Sequence, residues 1–208
     1  MTLLEPGTRV RREGQLAYGR VALRAVTQGD YDWLYELETD PRVSGGWRLQ
    51  GRTVSPEEFV RLLWQNILVQ YIVTERTNAF RAGLVMCYSA DTRNGTASLA
   101  LVSPPEFQDT GLAIDGMVLL IDHLFRGWPF RKLYFESLAF NFARFDHAND
   151  RPIDLTRLWT VEGQLRDVYY HEGRYWDKYI GSISREAWEA HAEEIFEQIL
   201  ERASSTHT

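Results

Sequence analysis

The chain has a single cysteine and no long apolar run, and both features restrict the kinds of protein that it can be. Of 208 residues only Cys87 is a cysteine, which excludes a disulfide within the chain and a zinc site built from cysteines. A reducing, cytoplasmic setting fits this composition best. No stretch approaches the roughly 20 apolar residues that span a bilayer, so we expect no membrane partner. Residues 1–7 lack a basic region followed by an apolar run, so we expect no signal peptide.

Positive charge is also in short supply. The chain has 23 Lys and Arg against 29 Asp and Glu, a net charge of −6. Because non-specific nucleic-acid binders usually carry the opposite sign, we expect no nucleic-acid partner. The five histidines show no ligand spacing, so we expect no metal. Hydrophobic residues make up 44% of the chain, enough for one domain over 1–208, with 1–17 as an N-terminal extension and 203–208 as a frayed tail.

The hydrophobic pattern predicts an α/β chain. Turn residues between successive strands indicate an antiparallel meander, and a strand–helix–strand unit later in the chain indicates a parallel crossover within a mixed sheet. The helix signals are an N-cap at Thr27, a capping box at Ser55–Glu58, and a nearly all-apolar run that must be buried. The predicted strands cover 19–26, 71–75, 80–88, 96–102, 132–138, 160–170 and 174–180, and the predicted helices run from 27 to about 39, from 56, over about 111–126, and from 184.

One junction has the composition of an anion site. A strand ends at Val102, the segment Pro105–Ala113 follows, and the apolar helix begins near Gly111. A helix N-terminus presents free N–H groups and the positive end of the helix dipole, which suit a phosphate. Glycine at this point lets a ligand approach the backbone closely. An ordinary strand–helix turn explains the same spacing, and on spacing alone we favour that interpretation.

The junction resembles the acetyl-CoA loop of the GCN5-related N-acetyltransferase (GNAT) superfamily. The pattern of that loop is Gln or Arg, two residues, Gly, one residue, then Gly or Ala, and here it is met by Gln108, Gly111 and Ala113. Further segments resemble, in the right order, the RimJ/RimL-like branch, which acetylates ribosomal-protein N-termini and many small amines. These segments are Val21–Arg24 with Asp30, Asp40–Pro41, Arg131–Phe135 with Asn141, Glu162–Arg166, Tyr175–Asp177 and Ile183–Trp188.

The resemblance implies a mixed, α+β-like α/β fold: a mostly antiparallel central sheet splayed at a parallel pair, with helices on both faces. It implies that acetyl-CoA, the acetyl donor, lies in the splay and that an amine attacks the thioester directly. Such a reaction needs a base for the amine proton and an N–H group for the oxyanion. We expect a cytoplasmic acetyltransferase acting on the primary amine of a small molecule. The alternatives are acetylation of a protein N-terminus or lysine, and a degenerate acyl-CoA-binding module. A homodimer is one option for its assembly.

The resemblance also assigns roles to residues. Glu136 is our first choice as general base, and Tyr134 is a candidate acid, together with Tyr169 and His147. Apart from the resemblance, Arg42, Arg48 and Arg52 in the loop between the first two helices are candidates to bind an acidic acceptor, and Trp47 in the same loop is a candidate to face the acceptor pocket. The residues expected to bind the cofactor are Val102, Ser103, Gln108, Asp109, Thr110, Gly111, Leu112, Ala113 and Asn141.

The chain departs from the family pattern in three places, and the first two departures favour the degenerate alternative. Asp109 stands where the family usually has Gly, Lys or Arg, and a carboxylate repels a pyrophosphate unless it points away or is paired. The tyrosine expected a few residues after Asn141 is missing from 141–148. The helix expected next is replaced or extended by 150–156, so we expect a remodelled cofactor cleft on that side.

Overall fold

The computed structural model describes residues 10–12, 15–141 and 157–205. Nine strands of these residues form one sheet in the spatial order β1-β2-β3-β4-β5-β6-β7-β9-β8. All neighbours are antiparallel except β6 and β7, which are parallel. The strands are β1 (Val10–Arg12), β2 (Gln15–Tyr18), β3 (Val21–Ala25), β4 (Ile67–Glu75), β5 (Arg81–Asp91), β6 (Thr96–Val102), β7 (Lys132–Leu138), β8 (Trp159–His171) and β9 (Arg174–Ser184).

The helices start where the sequence places capping residues. The Ser55 hydroxyl accepts the Glu58 N–H at 3.2 Å, as the capping box predicts. Thr27 precedes a 3₁₀ turn over Gln28–Asp30 that leads into the first helix. The main helices are α1 (Tyr31–Thr39), α2 (Pro41–Ser44), α3 (Pro56–Leu63), α4 (Leu112–Gly127) and α5 (Arg185–Ser205), and a 3₁₀ helix over Pro105–Thr110 precedes α4.

The expected meander and parallel crossover are confirmed, and two segments differ from expectation. The loop predicted after Pro41 begins with helix α2, because the Asp40 carboxylate accepts the Arg42 N–H at 2.8 Å and Pro41 occupies the first helical turn. Part of the N-terminal extension joins the sheet as β1 and β2. Strands of three and four residues are too short to show a period of two.

The core lies in two layers, one on each face of the sheet. The first core cluster packs α4 and α5 against one face, and α5 contributes Trp188, Ile195, Phe196 and Ile199 to it as predicted. The second core cluster packs α1 and α3 against the other face. Alternation along the strands explains the division, since Ile72 and Leu84 belong to the second cluster while Val73 and Val85 belong to the first.

The sheet opens between its two parallel strands, as the fold resemblance implied. β6 and β7 pair from Thr96↔Lys132 to Leu99↔Phe135 and then part. Beyond that point β6 stays paired with β5, and β7 stays paired with β9. Each strand is therefore held by its outer neighbour, and backbone groups that point into the gap have no cross-strand partner there. Within the described part of the chain, no helix is long and apolar enough to cross a membrane.

Candidate active site

A large cavity follows the gap between β6 and β7. Its volume is about 1740 Å³, and its wall includes both margins of the gap, residues 99–102 and 135–138. Sites for single small ligands usually hold roughly 300–1,000 Å³, so this cavity has room for a coenzyme and a second ligand. Among the described residues, no group of three or more His, Cys, Asp and Glu side chains is arranged to hold a metal ion.

One end of the cavity is the strand–helix junction singled out in the sequence. Gly111 adopts φ +76° between the 3₁₀ helix and α4, a left-handed conformation that glycine adopts without strain. The first turn of α4 directs unpaired N–H groups and the positive end of its dipole toward this end. The predicted cofactor residues in the cavity wall here are Gln108, Asp109, Thr110, Gly111 and Ala113.

The other predicted cofactor residues divide between the wall and the core. Val102 lines the gap, and Asn141 lines the opposite side of the cavity. Ser103 also lines it, but its hydroxyl donates to the Ala82 carbonyl at 2.9 Å and so fastens the end of β6 to β5. Leu112 lies outside the wall, because its side chain points into the first core cluster. The structure therefore brings together every predicted cofactor residue except Leu112.

Of the two predicted catalytic residues, the structure places one at the gap. Glu136 lies in the cavity wall, half exposed, with the Lys178 ammonium 2.8 Å from its carboxylate. Tyr134 lies outside the wall, which corrects its expected placement. It pairs with Ser98, where β6 and β7 are still joined, so the gap has not yet opened beside it.

The structure also changes the set of candidate proton donors. The Tyr169 hydroxyl lines the cavity but donates to the Gly45 carbonyl. His147 lies outside the described residues. Tyr88, on β5, was missed by the sequence analysis and lies in the wall. Burial raises the pKa of Tyr88, and the negative charge of Glu136 raises it further. The phenol is therefore protonated at neutral pH. No local sequence signal distinguishes it from a tyrosine that only packs.

The end of the cavity away from the junction is lined with aromatic rings. The tip of the β8–β9 hairpin approaches the glycine-rich loop after α2, where Tyr169 meets Gly45. Phe140 stacks on His171 with ring centroids 5.1 Å apart, and meets Trp176 edge-on at the same distance. All of these residues lie in the cavity wall. We refer to Phe140, Tyr169, His171 and Trp176 as the aromatic end.

A buried acid holds the part of the cavity wall next to the aromatic end in place. Glu38 on α1 has no exposed surface, and Arg48 Nε lies 2.9 Å from its carboxylate. Burial raises the pKa of Glu38 to about 7, against the lowering effect of Arg48 and the nearby indole of Trp47. Both Trp47 and Arg48 line the cavity, as predicted, and so do Arg42 and Arg52. Sequence reasoning missed Glu38, because an acid on an amphipathic helix is usually exposed.

Comparison with known proteins decides the family. The sequence pattern of the acetyltransferase (GNAT) domain matches residues 20–148, more than half of the chain. The chain belongs to this family. It is therefore a GNAT acetyltransferase whose acetyl donor is acetyl-CoA, and the splayed gap and the strand–helix junction in the cavity wall are compatible with that donor.

Solved structures share the fold of this GNAT acetyltransferase at low sequence identity. A spermidine N-acetyltransferase from Vibrio cholerae, solved with CoA and spermine, has a TM-score of 0.68 and 19% identity over 82% of this chain and 98% of its own. A GNAT-family acetyltransferase from Bacillus anthracis has a TM-score of 0.64 and 14% identity over 83% of this chain and 99% of its own. No curated protein sequence matches the chain.

Proposed function

We propose that this GNAT acetyltransferase acetylates the primary amine of a small molecule that carries a planar, aromatic group. The observation that carries the proposal is the aromatic end, which stands beyond the gap on the side away from the phosphate-binding junction. Flat rings stack on such walls, and their apolar faces lose little on leaving water.

In the proposed acetyl transfer, each group at the gap carries out one step. Acetyl-CoA supplies the activated acetyl group as a thioester. Glu136 takes a proton from the attacking amine, directly or through a water molecule. Backbone N–H groups that have no cross-strand partner at the gap hold the developing oxyanion. Tyr88 gives its proton to the departing thiolate, the role that we first considered for Tyr134.

The charge of the cavity wall argues against a polyamine. Among the residues that the structure describes, seven basic side chains line it, against three acidic ones, Asp109, Glu136 and Glu172. Glu136 is already paired with Lys178. A polyamine carries several positive charges and needs several free carboxylates. The basic residues in the wall are Arg20, Arg42, Arg48, Arg52, Arg174, Lys178 and Arg202.

Placement within the family is a further part of the proposal. The segments quoted above support a RimJ/RimL-like branch, and the Glu162–Arg166 segment forms part of β8 beside the cavity. We infer a cytoplasmic enzyme from the cysteine content, and a homodimer as its assembly. Acetylation of a protein N-terminus stays the second candidate function, because that branch includes enzymes of this kind.

An acceptor panel tests the proposed function. CoA release would be measured with acetyl-CoA and four acceptors: an arylalkylamine, an aromatic amino acid, spermidine and a short peptide with a free N-terminus. We expect the aromatic amines to be turned over with the highest kcat/KM. Higher kcat/KM with spermidine would contradict the acceptor class, and activity on the peptide alone would favour the second candidate. Stabilisation by acetyl-CoA without turnover of any amine would indicate a binding module.

The pH dependence of turnover tests the two catalytic assignments. Glu136→Gln should lower kcat about a hundredfold, remove the acidic limb of the pH–rate profile and leave acetyl-CoA affinity unchanged. Tyr88→Phe should lower kcat with the acidic limb retained. Glu172→Gln is the matched control, since it removes an exposed carboxylate from another part of the same wall. If Glu136→Gln keeps the limb and turns over within a few-fold of the wild type, Glu136 only pairs with Lys178.

A further inference from the structure

Two arginines from opposite ends of the chain meet at the start of α4. Arg20 precedes β3, and its Nη2 donates to the Thr110 carbonyl at 3.2 Å. Arg202 lies near the end of α5, and its Nη1 stands 2.5 Å from the position that a Cβ of Gly111 would occupy. Both guanidinium groups line the cavity beside the junction loop. We refer to Arg20 and Arg202 as the arginine pair.

A single buried acid holds the arginine pair together. Asp115, in the first turn of α4, has no exposed surface. Arg202 Nη2 bonds to one of its carboxylate oxygens, and Arg20 Nη2 lies 3.7 Å from the other. The two arginine side chains are only 18% and 12% exposed. The two guanidinium groups share this one buried carboxylate, and both stand in the cavity wall, where solvent screens charge weakly.

The junction loop itself brings no positive charge. Residues 105–113 contain no Lys or Arg, and they contain two acids, Glu106 and Asp109. A pyrophosphate at the α4 N-terminus therefore depends on backbone N–H groups and on cations from elsewhere in the chain. Guanidinium groups suit this task because each can give two parallel hydrogen bonds to phosphate oxygens.

We propose that Arg20 and Arg202 bind the pyrophosphate of CoA, with Asp115 as the positioning residue. The proposal rests on the proposed function, because it takes CoA as the ligand of the cavity. It makes the end of α5 part of the cofactor site. It also explains how the chain tolerates Asp109 in its junction loop. The 3′-phosphate of CoA has the same chemistry, so the test must distinguish the two phosphate groups.

Binding of CoA, measured by calorimetry without any acceptor, tests the arginine pair. Arg20→Gln and Arg202→Gln should each raise the Kd for CoA about tenfold or more. The factor should be larger at about 50 mM salt than at about 300 mM. Arg126→Gln is the matched control, since Arg126 pairs with Asp122 at the opposite end of the same helix. It should leave the Kd unchanged.

Two fragments of CoA distinguish the pyrophosphate from the 3′-phosphate as the group that the arginine pair binds. With 3′-dephospho-CoA the variants should show the same loss of affinity as with CoA. Loss of the effect with this ligand would overturn the pyrophosphate assignment in favour of the 3′-phosphate. Pantetheine has neither phosphate group, so it should bind the variants and the wild type equally. A difference with pantetheine would show that the substitutions disturb the whole cavity, and would overturn the proposal.

A double variant distinguishes a loss of CoA binding from a loss of folding. Arg202→Gln alone leaves Asp115 buried without its main partner, so Asp115→Asn/Arg202→Gln removes the charge along with its partner. It should fold and still bind CoA weakly. Wild-type affinity in this folded variant, or tighter binding because Arg202 obstructs the site, would overturn the proposal. Failure of the wild type itself to bind CoA would overturn the proposed function as well.

Discussion

At the scale of single residues, three acids in the described part of the chain lie where water cannot reach them. Asp30, Glu38 and Asp115 are almost completely buried, and each is paired with one or two arginines. Their pKa values move in different directions, because hydrogen bonds from Arg24 and Thr27 hold Asp30 ionised while burial dominates at Glu38 and Asp115. The last two acids stand behind opposite ends of the cavity.

Glu38 should make stability depend on pH. Its pKa is raised from 4.5 to about 7 by burial, so between these values the folded chain holds a proton that the unfolded chain has lost. The free energy of unfolding should therefore fall as pH rises from about 4.5 to about 7, by an amount on the order of 3 kcal/mol for this group.

Denaturant unfolding over that pH range, in the wild type and in Glu38→Gln/Arg48→Met, measures this contribution. The double variant leaves no unpaired guanidinium, and Arg48 does not titrate in the range. Its unfolding free energy should decline less steeply with pH than that of the wild type. Glu36→Gln, on the exposed side of the same helix, is the control. Equal slopes in the double variant and the wild type would mean that Arg48 keeps Glu38 ionised.

At the scale of elements, the site depends on how β6 ends and how α4 begins. The 3₁₀ helix over Pro105–Thr110 carries the chain from the gap to Gly111, whose positive φ turns it into α4. The turn aims the first N–H groups of α4 at the cavity. A side chain at Gly111 would strain the backbone and meet Arg202.

Gly111→Val should therefore weaken CoA binding strongly. A left-handed φ costs a branched residue about 1–3 kcal/mol, and its Cβ would stand where a phosphate approaches the backbone. Gly51→Val is the matched control: Gly51 has φ +74°, and a Cβ there meets nothing within 4 Å. Both variants should lose stability in thermal unfolding, and Gly111→Val should lose more because its Cβ also meets Arg202. If calorimetry shows that both bind CoA like the wild type, the phosphate does not lie on this turn.

At the scale of the whole molecule, the sheet separates two cores that support different parts of the site. The first core cluster holds α5, which carries Arg202, against α4. The second holds α1 and the loop that carries Trp47. A substitution that weakens the first core cluster should therefore affect CoA binding more than acceptor binding, and one that weakens the second cluster should do the reverse.

Phe196→Ala and Phe59→Ala compare the two cores. Each phenylalanine is 1% exposed, and Phe196 meets the Tyr18 ring edge-on at 4.8 Å. Each truncation should cost about 3–5 kcal/mol of stability. At a temperature where both variants are folded, Phe196→Ala should raise the Kd for CoA several-fold, and Phe59→Ala should leave it near the wild-type value. Equal effects on CoA binding would show that α5 does not position the cofactor site.

The sequence by itself predicted most of the elements, and most of the residues that it proposed for cofactor binding lie in the wall of one cavity. Capping residues, alternation and the apolar run predicted α4, β6 and β7 with nearly their observed limits, and the start of α3, because these signals act over a few neighbouring residues. The junction around Gly111 was found in the same way, since its residues are consecutive in the chain.

Tertiary structure decided what depends on distant residues. The arginine pair joins positions 182 apart in sequence through Asp115, and no local pattern links them. Tyr88 and Tyr134 lie on either side of Ser98 in the sheet, yet only Tyr88 of the two lines the cavity, and no local pattern in the sequence predicts this difference. Burial makes Glu38 a titrating group near neutral pH, and burial is a property of the packed molecule alone.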